Sequence, residues 1–326
     1  MKHLPIVILA VFCMVGCHKA GKTAQDADAS TVSFSRDSAW QYVQDQISLG
    51  ARVPGSTAHM QCAQYLQAQL RRFGAETEVQ QGQMTDYKGD MQQVVNIVGH
   101  YGNSDKRRVL LCAHWDSRPW ADQEEEYDNR MMPVLGANDG ASGVGVLLEI
   151  ARQTGLHLGG DRDKEPAVDI VLFDCEDMGT PTFYTGKERE DTWCLGSQMW
   201  AKENKARAKS YKYGILLDMV GAPDAVFPKE YYSMAYAPNV TEQVWRNALR
   251  LGYGALFRDI PSYPVTDDHY YINTIAGIPC VDIIHYDPHY NTGFAHWWHT
   301  LNDNMSNISP ATLEAVGKTV MAIIQN

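Results

Sequence analysis

Histidine and carboxylate side chains recur at positions where an apolar segment of this sequence ends or a helical pattern begins. Imidazole nitrogens and carboxylate oxygens are ligands for divalent transition metals, and zinc is the first candidate for such a set. The sequence therefore predicts a metal site, and its candidate residues are His114, Asp139, Glu176, Asp177, Asp218 and His299.

Each of these residues also has an ordinary structural explanation. A histidine can be a hydrogen-bonded core residue, Asp139 can cap the helix predicted to begin at Ala141, and the other acids can be solvated or paired with a basic residue. These explanations would all have to hold at once, because the positions fall at one edge of the inferred sheet. A single site explains them more simply than a series of coincidences.

The elements that must position these residues alternate between strands and helices. Short apolar runs rich in β-branched residues predict strands over 94–98, 109–112, 168–173, 215–217 and 279–284. A helix that is capped by Ser56 and ends at Gly74 is also predicted, as is one that begins after Ser309. We predict a single α/β domain whose mostly parallel central sheet is flanked by helices on both faces. In such a sheet, ligands bind beyond the carboxyl ends of the strands.

The composition favours a globular enzyme. Hydrophobic residues make up 44% of the 326 residues, which is enough for a full core. The formal net charge of −11 argues against a nucleic-acid partner, since nucleic-acid-binding proteins normally carry a basic footprint. No internal repeat or low-complexity block interrupts residues 35–326, so we expect one catalytic domain over that range.

Residues 1–16 have the features of a bacterial export signal: a positive start, an apolar run and a small residue before the cleavage point. The apolar run is shorter than the ~20 residues that a membrane-spanning helix needs. Because Cys17 follows Gly16 as in a lipobox, we expect a lipid on Cys17 and a polar tether over residues 17–34. The protein would then face the periplasm and touch the membrane only through this anchor. An ordinary signal peptide with an incidental cysteine is the alternative.

Five cysteines lie beyond Cys17, and none has the C-x-x-C spacing of a cysteine zinc cage. We predict a disulfide between Cys175 and Cys194, which would fix the loop that carries Glu176 and Asp177. The alternative is that both cysteines are buried free thiols.

Several motifs taken together resemble those of the zinc aminopeptidase superfamily. They are His-x-Asp-Ser at 114–117, Gly-Ala-Asn-Asp-Gly-Ala-Ser-Gly at 136–143, the acidic pair at 176–177, Leu-Asp-Met at 217–219 and Trp-His-Thr at 298–300. Within that superfamily, three further motifs are more similar to the glutaminyl-peptide cyclotransferases. They are Gly-Ala-Pro at 221–223, Phe-Pro at 227–228 and Thr-Asp-Asp-His at 266–269. The resemblance extends from about Leu49 to the C-terminus.

The resemblance implies a zinc-aminopeptidase-like α/β/α sandwich with one zinc ion held by Asp139, Asp177 and His299. The family often has glutamate where this chain has Asp177, so the shorter side chain is a departure that still keeps an acidic oxygen. The same comparison implies roles for the residues around the ion. Glu176 matches the proton-transferring glutamate, Asp218 and Asp267 match a hydrogen-bonded acidic pair, Trp298 matches a residue that lines the substrate pocket, and His285 resembles a histidine that supports the ligands. Apart from the resemblance, we also expect His114 to support the ligands and Trp193 to lie beside the substrate.

The implied reaction is the cyclisation of an N-terminal glutamine to pyroglutamate with release of ammonia. The α-amine and the γ-carboxamide belong to one residue, so ring closure needs positioning rather than a second reactant. Glu176 can take a proton from the amine and return it to the leaving ammonia. Asp218 can hold the amide nitrogen if it shares a proton with Asp267. Trp298, Trp193 and Trp115 can wall the pocket, although ordinary core packing explains Trp193 and Trp115 at least as well. We expect peptide or protein substrates and a monomeric enzyme.

Two other functions remain open on the residues alone. With His114 and Asp218 as further ligands, the same set could hold two zinc ions in an aminopeptidase, with Asp139 bridging the ions and Glu176 activating water. The chain could also be a non-catalytic, peptide-binding lipoprotein on an enzyme-like fold. An intact Glu176 beside a full ligand set argues against the binding protein, which has no use for a positioned base.

Overall fold

The computed structural model describes residues 33–103, 106–157 and 167–325, together with Met1. Residues 2–16 of the predicted signal peptide, Cys17 and nearly all of the predicted tether lie outside the described residues. Among the helices of the described ranges, none combines the length and the apolar character that crossing a membrane requires.

A six-stranded mixed sheet forms the centre of the molecule. Its strands are β1 (Glu76–Thr85), β2 (Met91–Tyr101), β3 (Arg108–His114), β4 (Val168–Phe173), β5 (Tyr211–Asp218) and β8 (Cys280–Ile284), and their order across the sheet is β1-β2-β4-β3-β5-β8. The four strands β4, β3, β5 and β8 run parallel, whereas β1 and β2 are antiparallel additions at one edge. Strands β6 (Phe227–Lys229) and β7 (Phe257–Pro261) form a separate parallel pair.

Helices cover both faces of the sheet. They are α1 (Arg36–Ile47), α2 (Thr57–Arg72), α3 (Ala141–His157), α4 (Leu195–Asn204), α5 (Tyr231–Tyr236), α6 (Pro238–Arg250), α7 (Asp268–Tyr271) and α8 (Pro310–Ile324). On one face, Leu111 of β3 belongs to the core that contains α1, α2, α3, α6 and α8. On the other face, its neighbours Leu110 and Cys112 pack with Trp200 of α4. Side chains therefore alternate between two cores, and the predicted α/β/α sandwich is confirmed.

The predicted helix boundaries are confirmed where the sequence carries capping residues. Ser56 accepts a hydrogen bond from the backbone N–H of His59 at the start of α2, and Gly74 adopts the left-handed conformation just beyond its end. Ser309 accepts from the N–H of Thr312, with Pro310 as the first helical residue of α8. A side-chain oxygen at the N-cap satisfies one of the free N–H groups of the first turn, which explains why these sequence signals were informative.

A buried arginine fixes the loop that precedes α3. The Arg52 guanidinium donates to the carbonyl oxygens of Trp115, Leu135 and Gly136 at 2.6–2.8 Å, and the side chain is inaccessible to solvent. Three carbonyl acceptors on two segments hold the chain after β3 against the chain before α3. The segment that follows β3 and the segment that precedes α3 are therefore held together at the same end of the sheet.

Candidate metal centre and cavity

The candidate residues meet at a cavity beyond the carboxyl ends of the parallel strands, as an open α/β sheet predicts. The cavity has a volume of about 370 Å³. Its polar lining comes from residues on five different segments, namely Asp139, Glu176 with Asp177, Asp218, Asp267 and His299.

Asp139, Asp177 and His299 are placed together as potential metal ligands. Nε2 of His299 lies 3.2 Å from Oδ1 of Asp177 and 3.5 Å from Oδ2 of Asp139, and one ligand atom from each residue lies within 4.8 Å of the others. Oδ2 of Asp177 is buried without a hydrogen-bond partner among the described residues. Burial and the charge of Asp177 raise the pKa of Asp139 to about 6. An unpaired oxygen and two crowded carboxylates beside an imidazole suit a divalent cation.

Two further aspartates hold these ligands through the backbone. Asp116 accepts hydrogen bonds from the N–H groups of Glu176 and Asp177 at 3.1 and 3.2 Å. Asp303 accepts from the N–H groups of Asn138 and Asp139 at 2.7 and 3.0 Å. Asp116 is the aspartate of the His-x-Asp-Ser motif, and neither it nor Asp303 was predicted to support the ligands. Each of these aspartates lies a few residues after a histidine of a sequence motif, His114 or His299, and that proximity was the available sequence signal.

His299 lies beside a buried ion pair that the sequence did not reveal. Its Nδ1 lies 3.2 Å from Oδ1 of Asp122, and Asp122 in turn pairs with Arg118 at 2.9 Å. Burial acts to raise the pKa of Asp122, but the contacts with His299 and Arg118 outweigh it and hold that pKa well below the usual range. A carboxylate behind a histidine fixes the ring orientation and strengthens the opposite nitrogen as a ligand.

Glu176 is buried next to the candidate ligands and faces the cavity. Burial, followed by the charge of Asp177, raises the pKa of its carboxyl well above the usual range. A buried carboxyl with a raised pKa holds a proton more readily than an exposed one, which suits it to exchange protons with a substrate.

The predicted Cys175–Cys194 disulfide is wrong, because both residues are buried free thiols. The backbone does bring the two together, since the N–H of Leu195 donates to the carbonyl of Cys175. The side chains diverge, however. Sγ of Cys194 lies 3.0 Å from Oε1 of Glu176, and Sγ of Cys175 lies 3.5 Å from the carbonyl oxygen of Gln93.

Asp218 and Asp267 line the cavity, but no hydrogen bond joins their side chains. Oδ1 of Asp218 lies 3.2 Å from Nε2 of His114, and Oδ1 of Asp267 accepts from the N–H of Asp268 at the start of α7. Burial, with a contribution from the charge of Asp267, raises the pKa of Asp218 to about 6. The expected direct pairing of the two acids is therefore replaced by an electrostatic interaction across the cavity.

The two supporting histidines have different surroundings. Nε2 of His114 lies 2.9 Å from Oδ1 of Asp139 and 3.2 Å from Asp218, and these three residues form a second group able to hold a cation. His285 is not part of that group. Its Nδ1 accepts from the backbone N–H of Val226, and its Nε2 has no hydrogen-bond partner in the described part of the chain.

Aromatic rings form the wall of the cavity beside His299. Trp298 stacks on His299 with ring centroids 3.6 Å apart, and Phe294 lies 4.8 Å from Trp298. Trp193 lies nearly parallel to His299 at 6.2 Å and also lines the cavity. Trp115 does not, because it is completely buried and stacks on His59 instead. Trp298 and Trp193 line the cavity as predicted, and for Trp115 the alternative of ordinary core packing is confirmed.

Four residues at or beside the site have a left-handed backbone although none is glycine. They are Cys175, Cys194, Met219 and His299, with φ angles of 48–55°. This conformation costs a residue with a Cβ atom roughly 1–2 kcal/mol. The surrounding hydrogen bonds and packing must hold these residues in place.

Comparison with known proteins agrees with this geometry. Residues 96–324 match the sequence profile of peptidase family M28. The glutaminyl cyclase of Bacteroides thetaiotaomicron, solved with N-acetylhistamine bound, is 45% identical and superposes with a TM-score of 0.85 over 90% of this chain and 98% of its own. A structure described as a Zn-dependent exopeptidase from Parabacteroides distasonis is 46% identical, with a TM-score of 0.85 over 91% of this chain and 100% of its own.

A more distant similarity extends to animal proteins. The glutaminyl-peptide cyclotransferase of Boiga dendrophila is 24% identical over 300 residues, which cover 84% of this chain and 76% of that protein.

Proposed function

Because the chain belongs to peptidase family M28, we propose that it is a glutaminyl-peptide cyclotransferase. It converts an N-terminal glutamine of peptides or proteins to pyroglutamate and releases ammonia. The observation that carries the proposal is that Glu176 and the group Asp139, Asp177 and His299 open into one cavity walled by Trp298. The resemblance to glutaminyl cyclases of similar length supports the same conclusion.

Asp139, Asp177 and His299 hold one zinc ion in this proposal. When bound, zinc supplies a Lewis acid that polarises the γ-carbonyl of the substrate. The protein orients the ligands from behind, through Asp122 on His299 and Asp303 on the backbone of Asp139. Loss of either support would loosen the site without removing a ligand.

Glu176 moves the proton. As the α-amine nitrogen attacks the γ-carbonyl carbon, the carboxylate of Glu176 accepts a proton from that nitrogen. It then donates the proton to the γ-amide nitrogen, whose bond to the carbon breaks as ammonia leaves. Asp218, which is held by His114, and Asp267 across the cavity are placed to bind the amide nitrogen. Proton transfer of this kind typically contributes about 10²–10⁴-fold to the rate.

The aromatic wall favours cyclisation over hydrolysis. Trp298, Phe294 and Trp193 cover the side of the cavity next to His299. The cyclisation itself needs no water, whereas water that reaches the site can compete with the amine for the same carbonyl. The direct test is ammonia release from Gln-initiated peptides by the purified protein, measured together with its zinc content per chain.

A two-metal aminopeptidase is the second candidate function. The observation in its favour is the separate group formed by His114, Asp139 and Asp218, which shares Asp139 with the first group. One similar structure is also described as an exopeptidase. This candidate requires two zinc ions per chain and release of free amino acids from peptides, neither of which the cyclase requires.

We also propose that residues 1–16 are removed on export, that Cys17 carries a lipid and that residues 35–326 form the catalytic domain. The sequence Gly16-Cys17 and the polar composition of residues 17–34 support this arrangement. The enzyme would then act on peptides at the membrane surface that faces the periplasm.

A further inference from the structure

A further group of potential ligands lies at the wall of the cavity, and it includes the buried thiol of Cys194. Oε1 of Glu176 lies 3.0 Å from Sγ of Cys194. One ligand atom from each of Glu176, Cys194 and Asp267 lies within 4.8 Å of the others. The group shares no residue with the proposed zinc ligands or with the group of His114, Asp139 and Asp218, although Glu176 also lies in a group with His114 and Asp177.

Asp267 gives independent support for a ligand at this position. Its side chain is buried, with 3% of its surface exposed, and its Oδ2 has no hydrogen-bond partner among the described residues. An unpaired carboxylate oxygen in a buried position normally costs free energy unless something binds it. Glu176 and Asp267 also line the cavity, so a small cation can reach them from solvent.

We propose that Glu176, Cys194 and Asp267 form an inhibitory binding site for thiophilic divalent metals, of which Zn²⁺ and Cd²⁺ are the examples. Thiolate sulfur selects such metals over Mg²⁺ and Ca²⁺, which prefer oxygen ligands alone. On binding, the Cys194 thiol loses its proton to solvent and a sulfur–metal bond forms. The carboxylate of Glu176 becomes a ligand and no longer accepts a proton from the substrate amine, so turnover stops.

The protonation state of the thiol makes metal binding at this site depend on pH. Burial and the nearby Glu176 carboxyl raise the pKa of Cys194 well above its usual range, so the residue holds its proton when no metal is bound. A metal must displace that proton, which weakens binding at neutral pH. Zn²⁺ or Cd²⁺ should therefore bind at this site more tightly as the pH rises.

The inference rests on the proposed function only for the consequence that Glu176 is blocked; the metal site itself can be tested without turnover. The experiment uses the full chain loaded with one zinc ion and titrated with Cd²⁺. Thiolate–cadmium coordination gives an ultraviolet charge-transfer absorption, and the bound cadmium is counted per chain. Cys194→Ser removes the thiol. Cys175→Ser is the matched control, because Cys175 is also a buried free thiol with a left-handed backbone.

Wild type and Cys175→Ser should take up a further equivalent of cadmium with the thiolate absorption, and Cys194→Ser should lack both. Even a residue that only supports a metal ligand changes affinity by about 10–100-fold. Loss of the thiolate should accordingly raise the Zn²⁺ or Cd²⁺ concentration for half-inhibition by about 10-fold or more, relative to each variant's own uninhibited rate. Cys194→Ala, with its melting temperature measured, repeats the test if the serine variant folds poorly.

The outcomes separate the two proposals. Equal cadmium uptake and equal inhibition of wild type and Cys194→Ser would overturn the inhibitory site while leaving the cyclase intact. Cadmium binding that depends on Cys194 in a protein with no activity on Gln-initiated peptides would leave the site and overturn the function.

Discussion

Oδ1 of Asp177 lies 3.2 Å from Nε2 of His299, although Asp177 follows strand β4 and His299 lies in the long connection after β8. The contact joins the middle of the sheet to a segment beyond its last strand. Only the folded chain can bring these two atoms together, so a metal held between them would also tie the two segments to each other.

Replacing His299 with alanine should remove the zinc ion and the activity together. The change deletes one of three proposed ligands, and the remaining carboxylates, Asp139 and Asp177, would repel each other without it. Metal content per chain and turnover of a Gln-initiated peptide measure the effect. His296→Ala, in the same connection but solvent-exposed, should retain both. Full zinc content in the His299 variant would contradict the proposed ligand set.

Glu176→Gln should keep zinc but lower kcat by about 10²–10⁴-fold, because glutamine preserves the shape of the side chain and cannot accept the proton. Glu125→Gln, in an exposed loop, is the control and should keep the wild-type rate. A variant that retained more than about a tenth of the wild-type kcat would show that another group moves the proton.

Asp218→Ala distinguishes the cyclase from the two-metal aminopeptidase. A one-zinc cyclase should keep its single ion and lose rate, since Asp218 contacts His114 rather than the proposed ligand set. A two-zinc aminopeptidase would go from two ions per chain to one. The measurement is zinc stoichiometry for wild type and variant, alongside ammonia and free amino acid release.

A hydrogen bond between His100 and the buried Asp169 should make the free energy of unfolding depend on pH. Nδ1 of His100 lies 2.6 Å from Oδ1 of Asp169, and this hydrogen bond, against the effect of burial, raises the pKa of His100 above 6.5. The protonated ring therefore adds to the free energy of unfolding below about pH 6.5, and that contribution disappears as the pH rises through the raised pKa.

The test compares wild type with His100→Gln by urea denaturation at several values between about pH 6 and pH 8.5. The variant should be the less stable protein at the acidic end, and the difference should shrink towards the alkaline end. A difference that stayed constant or grew with pH would mean that the charge on His100 does not stabilise the fold.

Cys17→Ser should release the protein from the membrane fraction, because it removes the only proposed attachment point for lipid. Cell fractionation, with mass analysis of the N-terminal peptide of the wild type, measures the outcome. Cys175→Ser should remain with the membrane. Unmodified Cys17 in a membrane-bound wild type would contradict the proposed anchor.

The strands that are buried on both faces were predicted from the sequence, whereas a strand that forms only by pairing with a neighbouring strand was missed. Strands β3, β4 and β8 are buried along their whole length, so their apolar runs were visible. Strand β1 is largely polar, with residues that alternate between exposed and half-buried positions, and it exists through its antiparallel pairing with β2. No local pattern in its sequence distinguishes it from a loop.

The site was predictable where a residue directly follows a strand and was not where long loops fold back. Glu176, Asp177 and Asp218 follow predicted strands, and a parallel sheet brings such ends together. The contacts of Asp122 with His299 and of Cys194 with Glu176 depend on how connecting segments pack, which no spacing encodes. The incorrect disulfide has the same origin, because the sequence indicated that Cys175 and Cys194 are neighbours but not where their sulfur atoms point.

The left-handed residues around the cavity lower the thermal stability of the protein at positions close to those on which its activity depends. Glycine adopts this conformation without the penalty that a Cβ atom imposes, so Cys175→Gly or Met219→Gly would relieve local strain. The same change at His299 would remove a proposed metal ligand. Laboratory evolution for tolerance of high temperature should therefore replace Cys175 or Met219 readily and leave His299 unchanged. The backbone strain at His299 would then continue to lower the melting temperature.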